Sequence, residues 1–276
     1  MENGIELEAR RRVKEYRRRR MLGLGVALLT LIYIVYVLHL VLDDRMAWVF
    51  GHMAALCLFM GGFVTYIVLL IICRLILGSA SEKLTSIMTA ECDPFLYEAC
   101  LMQLRPVFFR YQMKCNIGMA QYYQGNFEQA WATFKDIPGF KMKGIFKINY
   151  YMILSSLYFI RESGMEVSEL EAAYQRSMKN QRERKYFQLL CANNNLFRAL
   201  ENEDYTAAFH FLRERMELAG KVVHLWHHVI FSYYEAQIFK GMKEKESERL
   251  ALKYVSEKGG RLYYAQEARK QLKEML

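Results

Sequence analysis

The chain has 276 residues, 53% of them hydrophobic, and a formal net charge of +9. That length holds one ordinary domain plus membrane segments, and only the position of the charge says what it does. Residues 1–20 set eight bases (Arg10, Arg11, Arg12, Lys14, Arg17, Arg18, Arg19, Arg20) against four acids, whereas residues 79–276 carry 28 bases and 23 acids; a nucleic-acid reader carries its basic face on the folded domain, so no nucleic-acid partner is expected.

The basic tail, residues 1–20, abuts the apolar run 21–42, interrupted only by Thr30 and His39. At about 1.5 Å per residue the run reaches about 33 Å, enough for a hydrocarbon core of about 30 Å. It is too long for a signal peptide, and HLVLDDR holds no small-x-small cleavage site. Asp43, Asp44 and Arg45 end it, and a second uncharged run, about 47–74, closes on Arg74. Residues 21–78 therefore read as two transmembrane helices joined by a very short turn. The eight-base flank against a one-base turn places both termini in the cytoplasm of a plasma-membrane protein. Gly23 and Ala27, Gly51 and Ala55, and the pair Gly61-Gly62 allow close helix approach, either within the hairpin or between copies as a homo-oligomer. His39 and His52 sit near the outer interface.

Six cysteines (Cys57, Cys73, Cys92, Cys100, Cys115, Cys191) include no CxxC pair and suit neither zinc nor a disulfide framework. They read as reduced core or membrane cysteines.

Residues 79–276 form the cytoplasmic domain. Asp93-Pro94 reads as an N-cap followed by proline at the first helical position, Arg105-Pro106 as a second start, and Pro138-Gly139 as a stop. Three-to-four periodicity runs between these marks, with Leu96, Cys100, Leu101 and Leu104 on one face. The expected helices pair as 81–91 with 94–104, 107–124 with 127–137, 145–163 with 168–179, 182–201 with 204–218 and 221–241 with 244–257, capped by 261–275. No stretch reads as a strand.

Within this run, GMAQYYQGNFEQAWATFKDI (118–137) breaks at Gly125-Asn126 and restarts with Phe127, Ala130 and Phe134. With Gly118 on the preceding helix, this pattern resembles a tetratricopeptide repeat, in which a small residue lets two helices cross closely. Weaker copies carry Leu170 and Ala173, then Tyr205, Ala208 and Leu212, then Ala251 and Val255. The small position falls at 130, 173, 208 and 251, longer and less regular than the family's period of 34. The family's early tryptophan is replaced by Lys114, and Leu196 stands where a small residue is expected. The resemblance covers roughly 106–257. The pairing of a two-span anchor with such repeats, and the segment ECDPFLYEA (91–99), are similar to membrane proteins of Gram-positive bacteria. The expected fold is all-α: a transmembrane hairpin followed by a TPR-like α-solenoid of helix-turn-helix units.

Catalytic patterns are sparse. His224 shares a helical face with His227 and His228, and Glu235 lies two turns on, so His224, His228 and Glu235 are the candidate metal ligands; HExxH does not occur. GxxxxGK[ST], GxGxxG after a strand and GxSxG do not occur either. The amides of CANNNLF (191–197) suit either a peptide backbone or solvent. The resemblance implies a concave face lined by the first helix of each pair, which puts Met119, Tyr122, Tyr123, Asn193 and Phe197 on or beside it; the alternative is that the tyrosines pack against the next hairpin. The expected function is a membrane-anchored scaffold for a protein or peptide, with the lipid bilayer as its other partner and no cofactor. Two rivals are a membrane-bound metal-dependent hydrolase and a self-assembling structural protein.

Overall fold

The computed structural model describes residues 2–42, 44–104, 110–161, 164–220 and 224–275, with side chains except at 2–3, 40–42, 44–59, 140 and 164–165. The readings made for the turn at 43–45, for Gly51, His52, Ala55 and Cys57, and for a helix start at Arg105-Pro106 lie outside this description. Among the described residues all regular structure is helical. Two compact units emerge: residues 10–85, and residues 1–9 together with 86–276.

The first unit is built from α1 (Glu2–Leu42) and α2 (Asp44–Thr89). Both are long and apolar enough to cross a membrane. Leu22, Leu28, Leu29, Ile32 and Val35 on α1, and Met60, Phe63, Val64 and Ile67 on α2, are exposed. Such apolar exposure away from the helix–helix contact is what a bilayer-facing helix presents. A Cβ on Gly23 would come within 2.6 Å of Leu77, and one on Gly62 within 2.7 Å of Val37. These glycines pack the two helices against each other. Cys73 Sγ donates to the Gly23 carbonyl at 3.3 Å, and Lys83 pairs with Glu15 at 2.9 Å. The partner numbers run in opposite directions, as an antiparallel hairpin requires. Both helices run on past their apolar stretches: the basic tail continues α1, and the segment expected as a separate helix, 81–91, continues α2 to Thr89. No proline interrupts either stretch.

The second unit contains the last turn of α2 and ten further helices: α3 (Pro94–Gln103), α4 (Arg110–Tyr123), α5 (Phe127–Lys135), α6 (Ile145–Ile160), α7 (Gly164–Arg176), α8 (Gln181–Glu201), α9 (Tyr205–Ala219), α10 (Leu225–Gly241), α11 (Lys245–Lys258) and α12 (Tyr263–Glu274). Asp93 caps α3, accepting from the Leu96 amide at 3.0 Å, with Pro94 at the first helical position. The dominant packings are α4 on α5, α8 on α9 and α10 on α11.

Those three pairs share one turn. Gly125, Glu203 and Lys243 have φ of 85°, 57° and 64°. The residue after each donates to a carbonyl five positions back: Asn126 to Gln121, Asp204 to Ala199 and Glu244 to Phe239. That is a left-handed helix stop followed at once by a new helix. Aligned on this turn, the second-helix positions are Ala130, Ala208 and Glu248, followed by Phe134, Leu212 and Leu252, all buried. The matching first-helix positions are Gly118, Leu196 and Ala236. A Cβ on Gly118 would lie 2.7 Å from the Phe134 ring, so the α4–α5 crossing uses its missing side chain. The turn register replaces Ala251 by Glu248 as the equivalent position; Ala251 is only half-buried. On α7, Leu170 and Ala173 are likewise half-buried, while Val167 and Tyr174 are fully enclosed.

Candidate functional site

The first helices of successive pairs carry a continuous band of rings. Phe159 of α6 stacks on Phe197 of α8 at 5.2 Å, and Phe197 meets Tyr234 of α10 edge-on at 5.4 Å. Tyr123 of α4 meets Trp226 of α10 at 5.0 Å. Edge-to-face aromatic packing gains about 0.5–1.5 kcal/mol per pair beyond area burial.

The last helix completes the band. The Tyr264 hydroxyl of α12 lies 3.2 Å from that of Tyr122 and 3.2 Å from that of Tyr234. Burial pushes the Tyr234 and Tyr264 hydroxyls well above the usual tyrosine range. Tyr263 stacks edge-on against Phe127 at 5.2 Å and covers Gly125, where a Cβ would sit 2.6 Å from its ring. Next to it, the Arg261 amide donates to the Cys92 carbonyl at 3.0 Å, and its guanidinium pairs with Asp93 at 3.3 Å over the Phe95 ring. Residues 142 and 168 positions apart in sequence are thereby joined, and the array closes on its own beginning.

This closure decides where the expected contact residues stand. Met119, Tyr122, Tyr123 and Asn193 are buried, and Phe197 is half-buried. Tyr122 and Tyr123 face Tyr264 and Trp226, so the chain itself covers them. Among the five, Phe197 keeps part of its surface open, joined on α10 by half-buried Tyr233. Asn193 and Asn194 are buried, whereas Asn195 is half-buried and accepts from Arg198 at 2.9 Å. Asn194 donates to Glu171 of α7 at 2.8 Å, Arg198 pairs with the same carboxylate at 3.0 Å, and Asn193 bonds Asn194 at 3.4 Å. Asn194 and Arg198 thereby tie α8 to α7 through Glu171.

The histidine segment is split by its helix boundary. His224 is the N-cap of α10, and its ring stacks at 6.1 Å on that of His227. Glu235 pairs with Arg213 of α9 at 3.4 Å, and burial raises its carboxyl above the usual range. Among the described residues no group of three or more His, Cys, Asp or Glu is placed to hold a metal. Five described cysteines are free thiols. Burial pushes Cys92 and Cys191 up to about 11 and Cys115 to about 12, so they are poor nucleophiles at neutral pH.

Sequence signals for the missed features were faint. Arg261 and Tyr264 lie past the recognisable repeats, and nothing near them announces a long-range contact. No protein-family model, characterised protein or solved structure matches this chain.

Proposed function

We propose that the chain is a membrane-anchored scaffold whose helical array is held at the cytoplasmic face of the plasma membrane and binds another protein there. The observation that carries this reading is the three helix pairs with one turn geometry and equivalent buried positions, two of them with alanine at the helix crossing. That construction resembles tetratricopeptide repeats, whose stacked hairpins serve as binding surfaces. The eight bases beside the first span support the orientation, because positive flanks stay on the cytoplasmic side. The partner's contact is assigned to the open part of the aromatic band around Phe197 and Tyr233, since such rings supply large contact area at low entropic cost.

The test places a photo-crosslinking amino acid at Phe197, at Tyr233 and, as control, at exposed Lys253 of α11, in the full chain in its own membranes. A single adduct of defined mass from Phe197 or Tyr233, absent at Lys253, is the expected result. Adducts at all three positions alike, or at none, contradict the reading.

A further inference from the structure

Arg215 of α9 is one of two bases that are buried among the described residues, and the two are treated differently. Lys147 of α6 is matched: its ammonium donates to the Ser177 carbonyl at 3.0 Å and lies 3.6 Å from Glu183. Arg215 is 6% exposed, and among the described residues its Nη1 has no acceptor and no carboxylate pairs with it. Its guanidinium instead lies over the rings of Phe231, at 5.1 Å, and Tyr234, at 5.8 Å. A buried cation without a counter-charge is a costly arrangement that rings alone offset only in part.

Two further polar atoms of the same ring cluster are orphaned among the described residues. Trp226 Nε1 and His227 Nδ1 are both buried without partners, and their rings are 4.4 Å apart. Arg215 is close enough to act electrostatically on His227, Tyr123 and Tyr234. Phe231, which lies under Arg215, is 6.2 Å from the His227 ring, so one fixed positive charge, an indole N–H that only donates and an imidazole nitrogen that donates in one tautomer belong to one linked cluster of rings. Groups with unmet donors collect where an acceptor belongs.

We propose that Arg215, Trp226 and His227 form a binding site for a small carboxylate anion. A planar carboxylate presents two oxygens to the guanidinium fork and has lone pairs left for the indole and imidazole nitrogens. Its single charge balances the single arginine, whereas phosphate at neutral pH brings nearly two. The site differs from the open aromatic band assigned to a protein partner, so either assignment survives failure of the other.

The full chain in detergent micelles at pH 7.5, with Trp48 and Trp131 replaced by Phe, is titrated with sodium acetate, sodium phosphate and sodium chloride at matched ionic strength. Trp226 emission and the thermal midpoint are followed. Acetate gives a saturable emission change and a saturable rise in midpoint, and phosphate and chloride do not. Arg215→Met abolishes both responses, and without acetate its midpoint equals or exceeds that of the parent. Arg215→Lys keeps the charge, loses the fork and weakens acetate by about tenfold or more. A missing acetate response in the parent, a stronger phosphate response, an acetate response retained in Arg215→Met, or an unchanged affinity in Arg215→Lys overturns the proposal.

Discussion

Burial of a histidine inside the helical array couples the array's stability to pH. Burial lowers His227 from 6.5 to about 3, helped by the positive charge of Arg215 and by His224 and His228. The folded form refuses a proton that the unfolded chain accepts below pH 6.5. The contribution is therefore fully present above pH 6.5 and is lost as pH falls toward 3, at about 1.4 kcal/mol per pH unit. Between pH 6.5 and 4.5, denaturant midpoints should drop in the parent and stay nearly level in His227→Asn; equal slopes would show that another group governs the acid limit. Residue identity alone did not announce this. HLWHH reads as a metal candidate because the sequence shows spacing, not the helix cap that separates His224 from its neighbours. The amides of 193–195 are similarly ambiguous on paper, since only the fold brings Glu171 within reach of Asn194.

At the level of helices, much was legible because turns and crossings are local chemistry. Gly125-Asn126 announces its turn outright, and α3 to α12 fall within a few residues of the segments drawn from periodicity. Charge hid the rest. Glu203 and Lys243 take the same left-handed turn conformation as Gly125 without being glycine, and Glu248 stands where Ala130 and Ala208 do. The left-handed region costs a side-chain-bearing residue about 1–2 kcal/mol, against about 0.5–1 kcal/mol of extra entropy for glycine. Lys243→Gly should therefore raise stability by about 0.5–1 kcal/mol in urea titration; a loss would mean the Lys243 side chain makes an offsetting contact. Ala130 is fully buried on α5, one turn before the Phe134 ring that fills the space at Gly118, so Ala130→Leu should overpack the α4–α5 contact and cost about 1–3 kcal/mol. An unchanged unfolding midpoint would remove that crossing from the account.

Over the whole molecule, what the sequence hid was closure. Tyr122 lies 142 positions before Tyr264, and only the meeting of Tyr122, Tyr234 and Tyr264 shows that these rings are covered by the chain itself. The apolar runs, by contrast, are legible without help as two helices long and apolar enough to cross a membrane, because a bilayer demands length and apolarity and little else. The central claim joins these two parts: the hairpin holds the helical array on the cytoplasmic side. Fusing a reporter that is active only in the cytoplasm after Leu276, with a second fusion active only outside, tests this directly in intact cells. The account predicts an active cytoplasmic reporter and a silent external one; the reverse pattern would put the array on the far side of the membrane and contradict it.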